Sequence, residues 1–224
     1  MVQFVLGSRS PRRRQLFESV VSADHLVVCP PQDSNEQGFD DLSDPQAIQQ
    51  RLLAVVRRKM TQVIQQLNPN YELPVQGNCV ITADTIVVVN DPGFGTLVLG
   101  QPCPENWQSE VRDWMLRLYS KSTHEVWTGF RVTFGNRSHE EIVRTTVSFC
   151  ELTPSVVDHY IATQESIGKA GGYAVQGQAA IFVEAIDGSL SNIIGLPMME
   201  VVRAIESLGV PVPNFCWKSG DSHS

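Results

Sequence analysis

Two rhythms of apolar residues organise this chain. Val2, Phe4, Val5 and Leu6 form a short apolar run that reads as a strand, and Gly7 lets the chain turn. Leu16, Phe17, Val20 and Val21 then recur at helical spacing. Between them lies Ser-Arg-Ser-Pro-Arg-Arg-Arg, residues 8–14, where Ser8 or Ser10 can cap a helix that starts at Pro11. His25 to Val28 is a second short strand, closed by Cys29, Pro30 and Pro31. A polar loop with Asp33, Glu36, Asp40 and Asp41 follows. Asp44-Pro45 repeats the cap-then-proline signal ahead of one long helical stripe: Ile48, Leu52, Val55, Val56, Met60, Val63, Ile64 and Leu67. Cys79 to Val89 is the strongest strand, apolar enough for burial on both faces, with Asp84 and Thr85 in its middle.

Further along, Asn90 to Leu97 is Gly-rich and reads as a loop. Pro104 to Leu118 reads as a helix with Trp107, Val111, Trp114, Met115 and Leu118 on one side, a stripe suited to core packing. Val126 to Phe134 and Glu141 to Cys150 read as strands paired around a Gly-Asn-Arg-Ser turn. Thr153-Pro154 opens a third capped helix ending near Thr163. A Gly-rich segment, Lys169 to Gly177, precedes a strand at Ala180 to Ile186, a turn at Asp187-Gly188 and a last helix from Met198 to Leu208. Strands and helices alternate, and the hairpin adds antiparallel pairing, so the class is α/β with a mixed sheet. No linker divides residues 1–210, which read as one domain followed by a loosely held tail, 211–224.

Composition narrows the function. The net charge is −7 over 224 residues, with a sequence pI near 5.2, which excludes a broad basic surface for nucleic acid. Eight of the 17 Lys and Arg residues nevertheless fall before residue 61, so positive charge is local and suits a small anion. The five cysteines are widely spaced with no Cys-x-x-Cys pair, as expected of free thiols in a reducing compartment. No apolar run approaches membrane-spanning length, and the N-terminus lacks a secretory pattern, so a cytoplasmic protein is expected.

The candidate chemistry follows from residues that sit badly with purely structural roles. Arginines at the start of a helix are placed at the positive end of its dipole, which costs stability unless an anion joins them. A solvated basic turn is the alternative. Asp84, inside an apolar strand, needs a partner, a metal or a shifted pKa. Lys169 and Gln176 offer a charge and an amide among glycines that permit close backbone approach. Arg and backbone amides hold phosphate oxygens, while carboxylates hold Mg²⁺ together with those phosphates. A carboxylate can also deprotonate an attacking water. No Walker-type Gly-x-x-x-x-Gly-Lys-Ser/Thr occurs, and no Cys/His or Ser/His pair stands out. The residues point to metal-assisted hydrolysis of a phosphate anhydride.

Several strings occur in an order that resembles the Maf family of septum-formation-inhibitor-like nucleoside triphosphate pyrophosphatases. They are Leu-Gly-Ser-Arg-Ser-Pro-Arg-Arg, Ala-Asp-Thr, Thr-His-Glu-Val-Trp-Thr-Gly, Gly-Lys-Ala-Gly-Gly-Tyr-Ala-Val-Gln-Gly and Phe-Val-Glu-Ala-Ile-Asp-Gly-Ser. The resemblance implies an elongated α/β fold, Maf/ITPase-like, with helices flanking a mixed curved sheet and a cleft between two lobes. It implies hydrolysis of a nucleoside triphosphate to the monophosphate and pyrophosphate with Mg²⁺ or Mn²⁺. Carried over by position, Ser8, Arg12 and Arg13 resemble the phosphate grip, with Lys59 and Lys169 as further cations on the substrate. Glu36 resembles a metal-binding acid, Asp84 the proton acceptor and a metal contact, and Gln176 the glutamine near the base. Arg12, Thr85 and Gln176 together are similar to the dTTP/UTP subgroup rather than the 7-methyl-GTP subgroup. A homodimer is common in the family.

Two departures from the family pattern bear on the transfer. Gln101-Pro102 stands where a Lys-Pro is usual, and the segment from Asn90 to Leu97 is longer than usual. Arg14 or Lys169 are the cations available to compensate. The missing lysine keeps open a nucleotide-binding regulator of septum formation that senses rather than hydrolyses.

Overall fold

The computed structural model describes residues 2–33, 38–67 and 77–212. Its centre is β3 (Asn78–Asp91), whose apolar run places it inside a seven-stranded mixed sheet. β1 (Gln3–Gly7) lies parallel to it, pairing Gln3 with Asn78 through to Gly7 with Thr82, and β2 (Leu26–Val28) lies parallel outside β1. β4 (Gly95–Leu99) folds back antiparallel onto the far end of the same edge, pairing Val87 with Leu99 through to Asp91 with Gly95. Among the described residues no strand lies along that edge between them, at residues 83–86. The opposite edge is occupied from Cys79 to Val88 by β5 (Thr123–Phe134), beyond which lie β6 (Arg137–Phe149) and β7 (Val183–Asp187).

The period-2 geometry of β3 sorts its side chains between two helical layers. Its odd positions Cys79, Ile81 and Ala83 pack with Phe17 of α1 (Pro11–Glu18) and with Val201 and Ile205 of α6 (Met198–Ser207). Its even positions face α2 (Pro45–Leu67): Val80 meets Met60 and Val63, while Ile86 and Val88 meet Ile48, Leu52 and Trp127. Farther along the odd face, Val87 and Val89 join a second core with Met115, Phe149, Tyr160 and Phe182. That core forms a second lobe under α3 (Trp107–Asp113) and α4 (Pro154–Ala162). Each fully buried Leu, Ile or Phe contributes about 1.5–3 kcal/mol. Those stripes therefore outweigh the modest propensities of helices rich in β-branched residues.

The helix starts follow the predicted chemistry. Ser10 caps α1 by accepting the Arg13 amide at 3.3 Å, Asp44 accepts the Ala47 amide at 2.8 Å, and Thr153 accepts the Val156 amide at 3.4 Å. Three expectations are corrected and one element is added. Asn90 to Leu97 is a hairpin rather than a loop, because β3 runs on to Asp91 and β4 begins at Gly95. There the Asp91 carboxylate accepts the amides of Gly93 and Phe94 and tightens the turn. The expected helix from Pro104 starts only at Trp107, and its last turn, Trp114–Tyr119, widens into a π-helix. The expected strand at Ala180 to Ile186 begins as a 3-10 turn (Gln178–Phe182) before β7. A short helix, α5 (Leu190–Ile194), was not expected at all; Ser189 caps it by accepting the Asn192 amide. Val210 and Val212 both belong to the first core. Among the described residues no helix is long and apolar enough to cross a membrane.

His124 on β5 is 2% exposed and shares a hydrogen bond of 2.8 Å between its Nε2 and the Tyr173 hydroxyl. Burial pushes its pKa down to about 3, so it is a neutral core residue. The unfolded chain protonates this ring near pH 6.5, whereas the folded chain resists until about pH 3. Stability is therefore full above pH ~6.5 and lost as pH falls below it, by at most about 1.4 kcal/mol per pH unit. Urea titrations at about pH 7 and about pH 5 should show this loss in the native chain. His124→Gln should flatten it, and an equal loss in both proteins would contradict the assignment.

Candidate active site

The unpaired stretch of β3 opens into a cavity of about 880 Å³ that reaches both faces of the sheet. Its wall contains Ala83, Asp84, Thr85, Ile86 and Val87, with Ser8, Arg12 and Arg13 at the start of α1 on one side. Gly168, Lys169, Ala170 and Tyr173 line it from the second lobe, together with Gly100 and Gln101. Because successive strand residues point oppositely, Asp84 projects toward α2 and Thr85 toward α1. Each polar side chain meets a cation from the helix on its own side.

On the α2 side, the Lys59 ammonium donates to Asp84 Oδ1 at 2.6 Å, and both side chains are only about one-seventh exposed, 14% and 16%. Gly129 makes this contact geometrically available. It is the residue of β5 paired with Asp84, and a Cβ there would stand 3.0 Å from Leu52 Cγ and 3.3 Å from Val56 Cγ2. Leu52, Val56 and Lys59 fall on one helical face at i, i+4 and i+7. The missing side chain lets α2 lie close against the sheet, and Lys59 thereby reaches Asp84.

On the α1 side, Arg13 acts as a bracket. Its Nε donates to the Gly195 carbonyl at 2.7 Å, and its two terminal nitrogens to Thr85 Oγ1 at 2.9 Å and Ser8 Oγ at 3.4 Å. Ser8 is itself buried, and its hydroxyl also accepts the Ser10 amide at 3.1 Å. From Thr85 the bonds continue inward: Thr85 shares 2.9 Å with the Thr128 hydroxyl, which donates to the Asn192 carbonyl at 3.2 Å. Asn192 Nδ2 in turn donates to the Val126 carbonyl at 2.9 Å and to Thr145 Oγ1 at 3.0 Å. This buried network ties α1, β3, β5, β6 and α5 together beneath the cavity.

The other arginines of the run divide their roles. Arg9 donates to the carbonyls of Pro31 at 2.8 Å and Gln32 at 3.0 Å, holding the loop after β2. Arg14 pairs with Glu18 on the exposed side of α1 and does not line the cavity. Arg12 lines the cavity with its guanidinium pushed below its ordinary pKa by burial, an effect that Glu165 opposes. Lys169 faces it, lowered first by burial and then by the Arg12 charge, with Glu165 again opposing. The cavity is thus a place where two cations are held near each other and partly out of water.

The second-lobe wall is rigid. Tyr119 donates its hydroxyl to the Gly171 carbonyl at 2.9 Å, Tyr160 to the Gly172 carbonyl at 3.1 Å, and the Gly171 amide donates to the Gly100 carbonyl at 2.9 Å. Burial raises the pKa of all three tyrosines Tyr119, Tyr160 and Tyr173, which keeps them hydrogen-bond donors. Gly171 has φ +68° and backs onto Val87 and Tyr119, where a Cβ would lie 2.6 and 2.7 Å away. Its freedom serves inward packing, so the expectation that this glycine admits a ligand is corrected.

Of the residues singled out in the sequence, Ser8, Arg12, Arg13, Lys59, Asp84, Thr85 and Lys169 therefore meet in one cavity. Gln176 is exposed and is not among the lining residues. Glu36 lies outside the described residues. Sequence reasoning missed Gly129 and Asn192. The signal for Gly129 was a glycine inside a strand, which marks close backbone approach; nothing local marked Asn192. The carboxylates of Asp84 and Asp33 line the cavity, and among the described residues no His/Cys/Asp/Glu trio forms a closed metal cage. One or two carboxylates beside space for phosphate is a donor set that fits Mg²⁺, which keeps waters and substrate oxygens as its other ligands.

Residues 3–208 match the family model described as Maf-like protein. The dTTP/UTP pyrophosphatase of Geobacillus sp. (strain WCH70) is 36% identical over 214 residues, covering 93% of this chain and 100% of that protein. The dTTP/UTP pyrophosphatase of Bacillus pumilus (strain SAFR-032) is 34% identical over 215 residues, covering 94% and 98%. That of Bacillus cytotoxicus (strain DSM 22905 / CIP 110041 / 391-98 / NVH 391-98) is 33% identical over 224 residues, covering 100% of both. Among solved structures, a HAM1 protein from Coxiella burnetii aligns with a TM-score of 0.42 at 10% identity, covering 81% of this chain and 92% of that one.

The Gly129 contact is open to direct test. Gly129→Val should cost about 1–3 kcal/mol by overpacking against Leu52 and Val56, read as a lower urea midpoint. Gly129→Ala should cost less, since those two side chains need give only a few tenths of an ångström. Equal stability of all three proteins would show that α2 does not rest on this glycine.

Proposed function

Because the chain belongs to the Maf family, we propose that it is a nucleoside triphosphate pyrophosphatase that takes dTTP and UTP. The observation that carries the reading is the convergence of Arg12 and Lys169 with Asp84 on one 880 Å³ cavity, a size usual for small-molecule sites. The names of the relatives supply the substrates, and the cavity supplies a reason for them. Two cations partly withdrawn from water attract a polyphosphate more strongly than the same charges on an open surface. Burial lowers the charge-holding tendency of both, and a bound polyanion would restore it.

The reaction assigned here is attack of water on the α-phosphorus. A new P–O bond forms, the bridging bond to the β-phosphate breaks, and pyrophosphate leaves with the bridging oxygen. No His or Cys occurs among the described residues lining the cavity, so the group that takes the water's proton is a carboxylate. Asp84 is the one held in the wall: Oδ1 is engaged by Lys59, and Oδ2 faces no hydrogen-bond donor among the described residues. Asp84, with Glu36 as the second carboxylate, would also hold Mg²⁺ or Mn²⁺. When bound, that ion supplies neutralisation of the charge that develops on the phosphate oxygens. Ser8 and Arg13 set the floor on which Arg12 stands, and Thr85 fixes Arg13.

The missing lysine at Gln101 gives the non-hydrolysing regulator its one point of support. Gln101 lines the cavity, so the substitution falls where it matters. Lys169 lines it as well, whereas Arg14 is turned away toward Glu18, so of the two candidate compensating cations Lys169 has the position. Turnover of a nucleotide panel with Mg²⁺, with products identified by mass, separates the readings: a sensor binds without release of pyrophosphate. Asp84→Asn should lower kcat by ~10²-fold or more while circular dichroism still reports a folded protein. Arg12→Ala should chiefly raise KM. Full activity of the Asp84 variant would remove Asp84 from the chemistry, and an unchanged KM would remove Arg12 from the phosphate grip.

A further inference from the structure

Glu165 stands in the turn after α4 and does not line the cavity, yet it contacts both Lys169 and the segment from Gly177 to Ala179 on the cavity's second-lobe side. Its Oε2 accepts the Gln178 amide at 2.7 Å and its Oε1 the Ala179 amide at 3.4 Å, at the start of a 3-10 turn. Its backbone carbonyl accepts the Lys169 ammonium. Its carboxylate lies so close against Gly177 that there is no room for a methyl group on that residue. The segment carrying Gln176 is thereby clamped from directly behind. Across the cleft stands Arg12, carried by the other lobe.

Charge explains why an acid is placed there. Two cations converge on the cavity from opposite walls, and each suffers from burial; Lys169 suffers additionally from Arg12. The titratable and charged groups around Lys169 are Arg12 from α1, Glu165 from the same turn and, through Glu165, Tyr160 from α4. Of these Glu165 favours the cationic forms of both Lys169 and Arg12, and Tyr160 adds to it at Arg12 alone. We propose that Glu165 is a positioning residue of the anion-binding wall, clamping the Gln176 segment and Lys169 and supplying the negative charge that lets Lys169 and Arg12 face one substrate together. The inference rests on the reading of this cavity as a triphosphate site.

The test is binding of the α,β-imido analogue of UTP in Mg²⁺, by titration calorimetry, at about pH 7.5 and about pH 8.5, where the triphosphate is ionised, the uracil N3–H is still largely protonated and the tendency of the lysine changes. For the native chain, affinity should hold across this range. Glu165→Gln retains size and one acceptor but no charge. It should bind roughly tenfold more weakly, the scale of one partly screened charge interaction, with the deficit larger at the higher pH. Adding Lys169→Met to Glu165→Gln should abolish that pH dependence, which a merely structural role for Glu165 would not predict. Glu165→Ala, which also releases the clamp, should lower the melting temperature further. Parallel pH profiles for the native chain and Glu165→Gln would overturn the proposal. Hydrolysis of UTP measured alongside keeps the two readings apart: binding without turnover overturns only the enzyme reading, and absence of binding by the native chain overturns both.

Discussion

The structure depends on one constraint: a strand buried on both faces must carry two adjacent polar side chains. Asp84 and Thr85 cannot share a partner, since the pleat sends them to opposite sides of the sheet. The protein therefore brings Lys59 from α2 to one face and Arg13 from α1 to the other. An unpaired polar group at this depth would cost about 1–3 kcal/mol, and each pairing removes that penalty while fixing a helix. The site and the scaffold are consequently the same contacts seen from two directions. Arg13 shows this most clearly, since its bonds to Gly195 and Ser8 shape the cavity floor and its bond to Thr85 begins the buried network.

Much of this was legible in the chain. Periodicity located β1, β3, the long α2 and the β5–β6 hairpin, because these elements bury long, regular stripes. Cap-then-proline signals placed the starts of α1, α2 and α4. Asp84 was identifiable as an anomaly in an apolar run, and the structure does give it a partner. What failed to show was set by tertiary contact rather than by local pattern. β4 was hidden because its residues are only partly buried, leaving a weak alternation in a Gly-rich stretch. α5 is too short for any periodicity to register and is held by the Thr128–Asn192–Thr145 bonds from strands far away in sequence.

The arginine run illustrates how far composition can mislead about function. Residues of one chemical type within six positions take up different duties: Arg9 ties down a loop, Arg13 braces the interior, Arg14 sits on the surface, and Arg12 faces the cavity. The glycines of the segment from Lys169 to Gly177 behave similarly. Gly171 and Gly177 are small because neighbours occupy the space a side chain would need, Val87 and Tyr119 in one case and Glu165 in the other. The rigidity so obtained is what holds Lys169 in a fixed place without a regular element to carry it.

The interrupted edge of β3 also has a consequence for how the chain reaches this state. β4 lies one tight turn beyond β3, so that pairing closes a short loop and forms readily. β1 meets the short parallel β2 soon after α1, but its longer parallel partner, β3, appears only after α1, β2 and α2 have all been added. Non-local parallel pairing of this sort is slow. The strand that delivers Ser8, Arg12 and Arg13 thus has only the short β2 beside it, and one apolar edge open, until β3 has been made. The anion grip therefore takes its final place only once a strand from much farther along the chain has arrived.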